Sequence, residues 1–199
     1  MQRNVTALVF MLALVGLALP SIAAAQEKRS FWFSAAFGLG SAMVTCDGCA
    51  SERETGGVFA VRLGGSLSER VLVGAEVGVW AKEYAVEPGV TGTVSLGHIS
   101  GTIAYYPTGS GFFVRGGAGL ALAEAVVNAD GTNISADIGK GFGFVTGAGY
   151  DIRVSRRWSI TPGVSSWYGQ LGDTAMVGAP LAKDWKQNVI DFTIGITFR

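Results

Sequence analysis

Three groups of residues in this sequence have the types and spacing that chemistry needs. His98-Ile99-Ser100 places an imidazole and a hydroxyl two residues apart. On a strand that spacing puts both on one face, where a His can serve as base and a Ser as nucleophile. Glu76 is a candidate for the carboxylate that orients them. The bland reading of the same residues is an imidazole packed near Glu76. Cys46-Asp47-Gly48-Cys49 is a second candidate. Redox catalysis would require such a pair at a helix start beside a βαβ unit, and a zinc site would require two more ligands where the chain has one His. In an oxidising compartment a disulfide stapling a loop fits best, with a free or metal-binding pair as the alternative. The third group is a set of isolated charges, Arg62, Glu76, Arg115, Asp151 and Asp191, each in an otherwise apolar or glycine-rich segment. Asp130-Gly131-Thr132-Asn133 has oxygen ligands for an ion but reads as a solvated loop. The glycine run 139–149 lacks the βαβ context of a phosphate loop. No cofactor or metal is expected.

The elements that hold these residues follow from composition. Of 199 residues, 30 are glycine and 15% are charged, with equal numbers of basic and acidic groups. Soluble chains average ~25% charged and ~7% glycine. Mean hydropathy is +0.37. Disorder requires fewer aromatics and more charge. Collagen requires glycine at every third position. A nucleic-acid partner calls for a basic chain and is not expected. Arg3, the apolar run Val5–Leu19 and the small residues ending at Ala25 have the order of a secretory signal peptide. Residues 1–25 are therefore expected to be a signal and 26–199 one domain. No later stretch has 18 unbroken apolar residues, so a spanning helix is not expected. A greasy exported chain without such a helix can still satisfy its backbone in lipid by closing a β-barrel.

Eight segments alternate large apolar residues with small or polar ones, near 31–43, 57–67, 71–81, 92–106, 112–125, 140–153, 157–168 and 189–198. In the last, Ile190, Phe192, Ile194, Ile196 and Phe198 oppose Val189, Asp191, Thr193, Gly195 and Thr197. The fourth segment changes phase. His98, Ser100, Thr102 and Ala104 take the inward face, but Val94 and Leu96 contradict it, which leaves two readings, a bulge or a misread phase. Pro162 weakens the seventh segment by removing a ladder donor. Short connections at 68–70, 107–111 and 154–156 alternate with long ones at 44–56, 82–91, 126–139 and 169–188, the layout of an outer-membrane barrel with long outer loops. The fold class is thus all-β, an eight-stranded antiparallel up-and-down transmembrane barrel.

The glycine-rich face would make a poor soluble exterior but a suitable interior for a narrow barrel. This argues against a lipocalin-like arrangement. It also turns Arg62, Glu76, Arg115, Asp151 and Asp191 towards the lumen. Arg62 and Glu76 are equidistant from the turn near Glu69 and therefore pair across a hairpin. The five charges are read as a network filling the lumen, with wet rim positions as the alternative.

The final Phe192–Phe198, the glycine-rich Phe113–Gly119 and the run Gly143–Arg153 followed by Trp158 resemble the small outer-membrane β-barrel superfamily, the porin-like or OmpA-type eight-stranded barrels of Gram-negative bacteria. The resemblance spans nearly the whole chain after the signal. It implies residence in the cell outer membrane, contact with outer-membrane lipid, and assembly by the barrel-assembly machinery. That machinery reads a terminal aromatic, whereas here Arg199 follows Phe198. The first expectation is a non-enzymatic barrel with a filled lumen and four outer loops that present surface to an unknown ligand. The alternatives are a narrow channel or carrier for small hydrophobic compounds, and a hydrolase. The His98–Ser100 pair resembles that of the lipid A deacylases, themselves outer-membrane barrels, though Gly101 stands where that family has Asn.

Overall fold

Alternation becomes strand along nearly the whole described chain. The computed structural model describes residues 31–49, 51–87, 90–129, 132–176 and 179–199. The expected signal segment and Asp130-Gly131 lie outside the described residues. Eight long strands run in chain order: β1 (Phe31–Thr45), β2 (Arg53–Ser66), β3 (Val71–Glu87), β4 (Val90–Tyr105), β5 (Phe112–Ala129), β6 (Thr132–Tyr150), β7 (Trp158–Met176) and β8 (Ala179–Phe198). A two-residue run, Ile152–Arg153, continues β6 past Asp151. Each strand pairs antiparallel with the next, and β1 pairs with β8. The sheet therefore closes into an eight-stranded up-and-down barrel, which leaves no edge unpaired.

The strands reach well past the segments expected at one end of the barrel. Pairing continues to Glu87↔Val90, Ala129↔Thr132 and Met176↔Ala179. The expected long loops 82–91, 126–139 and 169–188 are therefore mostly strand, and 44–56 keeps a loop only between Thr45 and Arg53. The reason lies in the outward face. Below this extension it is a belt of exposed apolar side chains, including Phe37, Leu39, Phe59, Ile103, Phe142, Phe192 and Ile194. Above it the outward positions become Ser41, Thr55, Glu83, Ser95, Glu124, Lys140, Gln170 and Asn188. The inward positions keep apolar residues. Ala42, Val58, Trp80, Leu96, Ala123, Ile138, Val145, Trp167 and Val189 form one buried apolar cluster. The outer wall thus turns from apolar to polar towards the upper end, while the interior sets the polar residues around Glu76 between this apolar cluster and a second one, Trp32, Leu72, Ala104, Tyr106 and Phe113, at the short-turn end.

This arrangement corrects the reading of β4. Its ladders to β3 and β5 run without a shift from Ala85 and Val94 onward to Tyr105, and Leu96 is 0% exposed. Val94 and Leu96 share the phase of His98; no bulge is needed, because the upper interior is apolar. A bulge lies instead on β6, where Ile138 is the extra residue opposite Ala123 and Glu124 and joins the buried cluster. Pro162 lies inside β7. The β6–β7 ladder stops at Gly149↔Gly163 and resumes at Ile152↔Ile160. With no N–H to give, Pro162 leaves Tyr150 and Asp151 out of that ladder, and the Asp151 amide donates to Gly111 O at 3.0 Å instead.

Tight turns close the other end. Ser68 Oγ accepts from the Arg70 and Val71 amides, and Ser155 Oγ accepts from those of Arg157 and Trp158. Such hydroxyl turns fix short connections without a large loop.

Candidate functional site: the barrel axis and its two ends

Glu76 on β3 is the centre of the lower interior. Its registered partner on β2 is Arg62, whose Nε lies 3.2 Å from Glu76 Oε1. Arg115, two strands away on β5, donates to Glu76 Oε2 and to Ser165 Oγ on β7. His98 Nε2 on β4 is 3.6 Å from Glu76 Oε1, and all four side chains are buried. Two guanidinium groups on one carboxylate, away from water, is an arrangement that is costly to break. Glycine makes room for it: a Cβ at Gly78, the cross-strand partner of His98, would fall 2.3 Å from the imidazole.

Of the other two charges singled out from sequence, Asp191 lies beside this cluster. It accepts from Trp167 Nε1 at 2.7 Å, and Trp167 lies against His98 with ring centroids 4.6 Å apart. Asp151 lies apart, at the short-turn end. It accepts from Thr161 Oγ1 at 2.7 Å and Tyr106 OH at 3.1 Å, and Arg199 Nη2 is 2.8 Å away. The terminal arginine also lies over the Tyr106 ring, 4.0 Å from its centroid. Burial lowers Arg199 to about 10, which leaves it a cation at neutral pH. Trp167, Ser165 and Tyr106 were not singled out by sequence; Trp167 shares the inward phase of Ser165, the one signal that points to it.

Ser100 lies one pair along β4, opposite Glu76. Its Oγ and both His98 nitrogens have no hydrogen-bond partner among the described residues. The base–nucleophile hydrogen bond that activates a serine is not made, and both side chains face the barrel axis rather than the apolar belt. Cys46 and Cys49 are joined by a disulfide with Cα atoms 5.2 Å apart, just beyond β1. Among the described residues no group of three or more His, Cys, Asp or Glu gathers in a metal-holding arrangement.

The upper mouth is an open cup of about 240 Å³. Ala42, Val44, Trp80, Val94 and Leu96 form its apolar wall, and Glu52, Glu54 and Tyr84 supply the polar groups. Tyr84 OH donates to Glu54, which also lies 3.7 Å from Lys82. The Trp80 indole that lines it is held by an Nε1 bond to Gly40 O at 2.9 Å.

Comparison with known proteins adds the family. Residues 9–198 match the family described as outer membrane protein beta-barrel domain. The fold is similar to the attachment invasion locus protein Ail of Yersinia pestis in complex with the heparin analogue sucrose octasulfate. That match has a TM-score of 0.60 and 13% identity, over 85% of this chain and 99% of the other. It is also similar to Neisserial surface protein A, at a TM-score of 0.56 and 16% identity, over 86% and 99% of the two chains. No curated protein sequence matches this one.

Proposed function

The chain belongs to the outer membrane protein beta-barrel domain family and resides in the outer membrane, and from that premise we propose that it acts there as a closed, non-enzymatic scaffold. Residues 1–25 direct export and are removed, the barrel-assembly machinery folds the rest, and lipid surrounds the apolar belt. The short turns face the periplasm and the polar-walled tier stands outside the cell. The cross-axis cluster of Arg62, Glu76 and Arg115, overlaid by buried Trp80, Leu96, Val145, Trp167 and Val189, carries this reading. Such a column leaves an ion no continuous polar path. Planar-bilayer recording with the refolded protein tests it: the expected trace has no unitary conductance, and discrete steps would overturn the closed lumen.

The cup at the upper mouth supports a surface-binding role, with the tier and the Cys46–Cys49 staple as its frame. Its apolar wall ends on Trp80 and Leu96, so it suits a ligand held at the surface better than a carrier route through the barrel. Its Glu52 favours a ligand with a cationic group, Glu54 being taken up by Tyr84 and Lys82. Across the upper tier Asp47, Glu83, Glu124, Asp137, Asp173 and Asp184 add acid against Arg53, Lys82, Lys140, Lys183 and Lys186. A polyanion such as the one bound by Ail meets the wrong sign here. The hydrolase alternative finds little support, because lipid acyl chains lie on the face opposite His98 and Ser100.

A further inference from the structure

The end with the short turns holds an open cavity of about 380 Å³ whose lining includes Arg153, Arg156, Arg157 and Arg199. The only side-chain carboxylate in that lining is Asp151, and it is already engaged by Arg199, Thr161 and Tyr106. Arg153, Arg156 and Arg157 are exposed, and among the described residues they make no ion pair. Three like charges held in one turn and its flank repel each other unless an anion joins them. The turn is held in place: Ser155 Oγ takes the Arg157 and Trp158 amides, and the Arg199 amide donates to Arg157 O at 3.0 Å. The arginines are therefore presented by a fixed loop.

The surroundings define the anion. Tyr150 and Ile152, which also line the cavity, are about half exposed, and Val154 and Trp158 beside them are similarly bare. These residues form the lower edge of the apolar belt. Tyr and Trp at that level mark the membrane–water interface. A free anion needs only the guanidinium groups; a lipid also uses the apolar rim, with its phosphate on the arginines and its chains along Ile152 and Trp158. Guanidinium forks match phosphate oxygens in pairs, and basic pockets at a membrane surface hold lipid head groups.

We propose that this cavity is a binding site for the phosphate head group of an anionic phospholipid in the leaflet at the short-turn end. The proposal rests on the membrane reading above and assigns that reading a particular lipid contact. It also gives Arg199 a place in the site, where its guanidinium offsets the Asp151 side chain.

Native mass spectrometry of the refolded full chain, released from nanodiscs of mixed phosphatidylglycerol and phosphatidylcholine, tests it. Wild type is expected to retain phosphatidylglycerol in preference. The R156Q/R157Q double variant should lose about thirtyfold in that preference, since each of the two basic residues near a charged surface contributes ~1 kcal/mol. Retention of both lipids in proportion to their supply, or unchanged preference in the variant, would overturn the site. So would displacement of the lipid by equimolar inorganic phosphate, which would make a free anion the occupant. Insertion into phosphatidylcholine vesicles, read from heat-modifiable gel mobility, is measured in parallel. Failure to insert would count against the membrane reading itself, whereas normal insertion without head-group preference counts against this site alone. The two exposed turn positions lie outside the strands, and the wild-type comparison stands without the variant.

Discussion

Glu76 carries more of the interior than any other single residue, because Arg62 and Arg115 both depend on it for counter-charge. Glu76→Gln keeps the shape and leaves two buried cations facing a neutral amide. Breaking a buried pair from one side costs ~3–5 kcal/mol, so urea unfolding in detergent should show a loss of that order. Ser100→Ala should behave in the opposite way. The hydroxyl is buried without a partner, and removing such a group is neutral or mildly stabilising. The same variant should leave lipid A unchanged by mass spectrometry; altered lipid A would revive the hydrolase. The Arg62–Glu76 pairing was legible in the sequence because a tight turn sets both residues at equal distance. The reach of Arg115 to Glu76 and Ser165 was not legible. Alternation tells which face a side chain takes, but contacts across a lumen between β3, β5 and β7 depend on the diameter at which the sheet closes.

At the level of the strand, alternation identified eight elements and their inward faces, and it misjudged where they end. The belt pattern stops where the barrel leaves the lipid. The strands continue beyond it with a polar outward face over an apolar interior, which is why Val94 and Leu96 on β4 read as a contradiction. Sequence cannot separate a polar outward face on a strand from a polar loop when the inward residues are as small as Gly92, Ala125 and Gly139. Two substitutions on β8 test the faces directly. Ile194 is 47% exposed and its neighbour Thr193 is 2% exposed. Ile194→Arg should cost about 2–4 kcal/mol of bilayer folding, the depth-dependent cost of arginine against lipid. Thr193→Arg should disturb interior packing while the protein still partitions into membranes. Equal tolerance of the two would reverse the assignment. On β7, Pro162→Thr restores a donor at the break in the ladder, and hydrogen exchange should then show slower exchange at residue 162 than at the frayed pairs beside it.

The whole molecule is one barrel whose outer wall changes from apolar to polar along its axis, around an interior in which the Glu76 ion cluster lies between two buried apolar clusters. Charge follows the same axis, with acids prevailing at the upper mouth and arginines at the short-turn end. Intact cells distinguish this orientation from its inverse. Single cysteines replacing Glu83 or Glu124 should react with a membrane-impermeant maleimide, while one replacing Glu69, in a short turn, should not. Cys46 and Cys49, being paired, should contribute no background. Labelling at Glu69 alone would invert the molecule. A nitroxide scan of residues 189–198 in lipid vesicles, measuring collisions with oxygen and with a water-soluble nickel chelate, tests the lipid-facing assignment of β8 most directly. Labels at 190, 192, 194 and 196 should meet oxygen freely and the chelate hardly at all, and those at 191, 193 and 197 should be immobile and shielded from both. Chelate collisions at the first set, or oxygen collisions confined to the second, would contradict it.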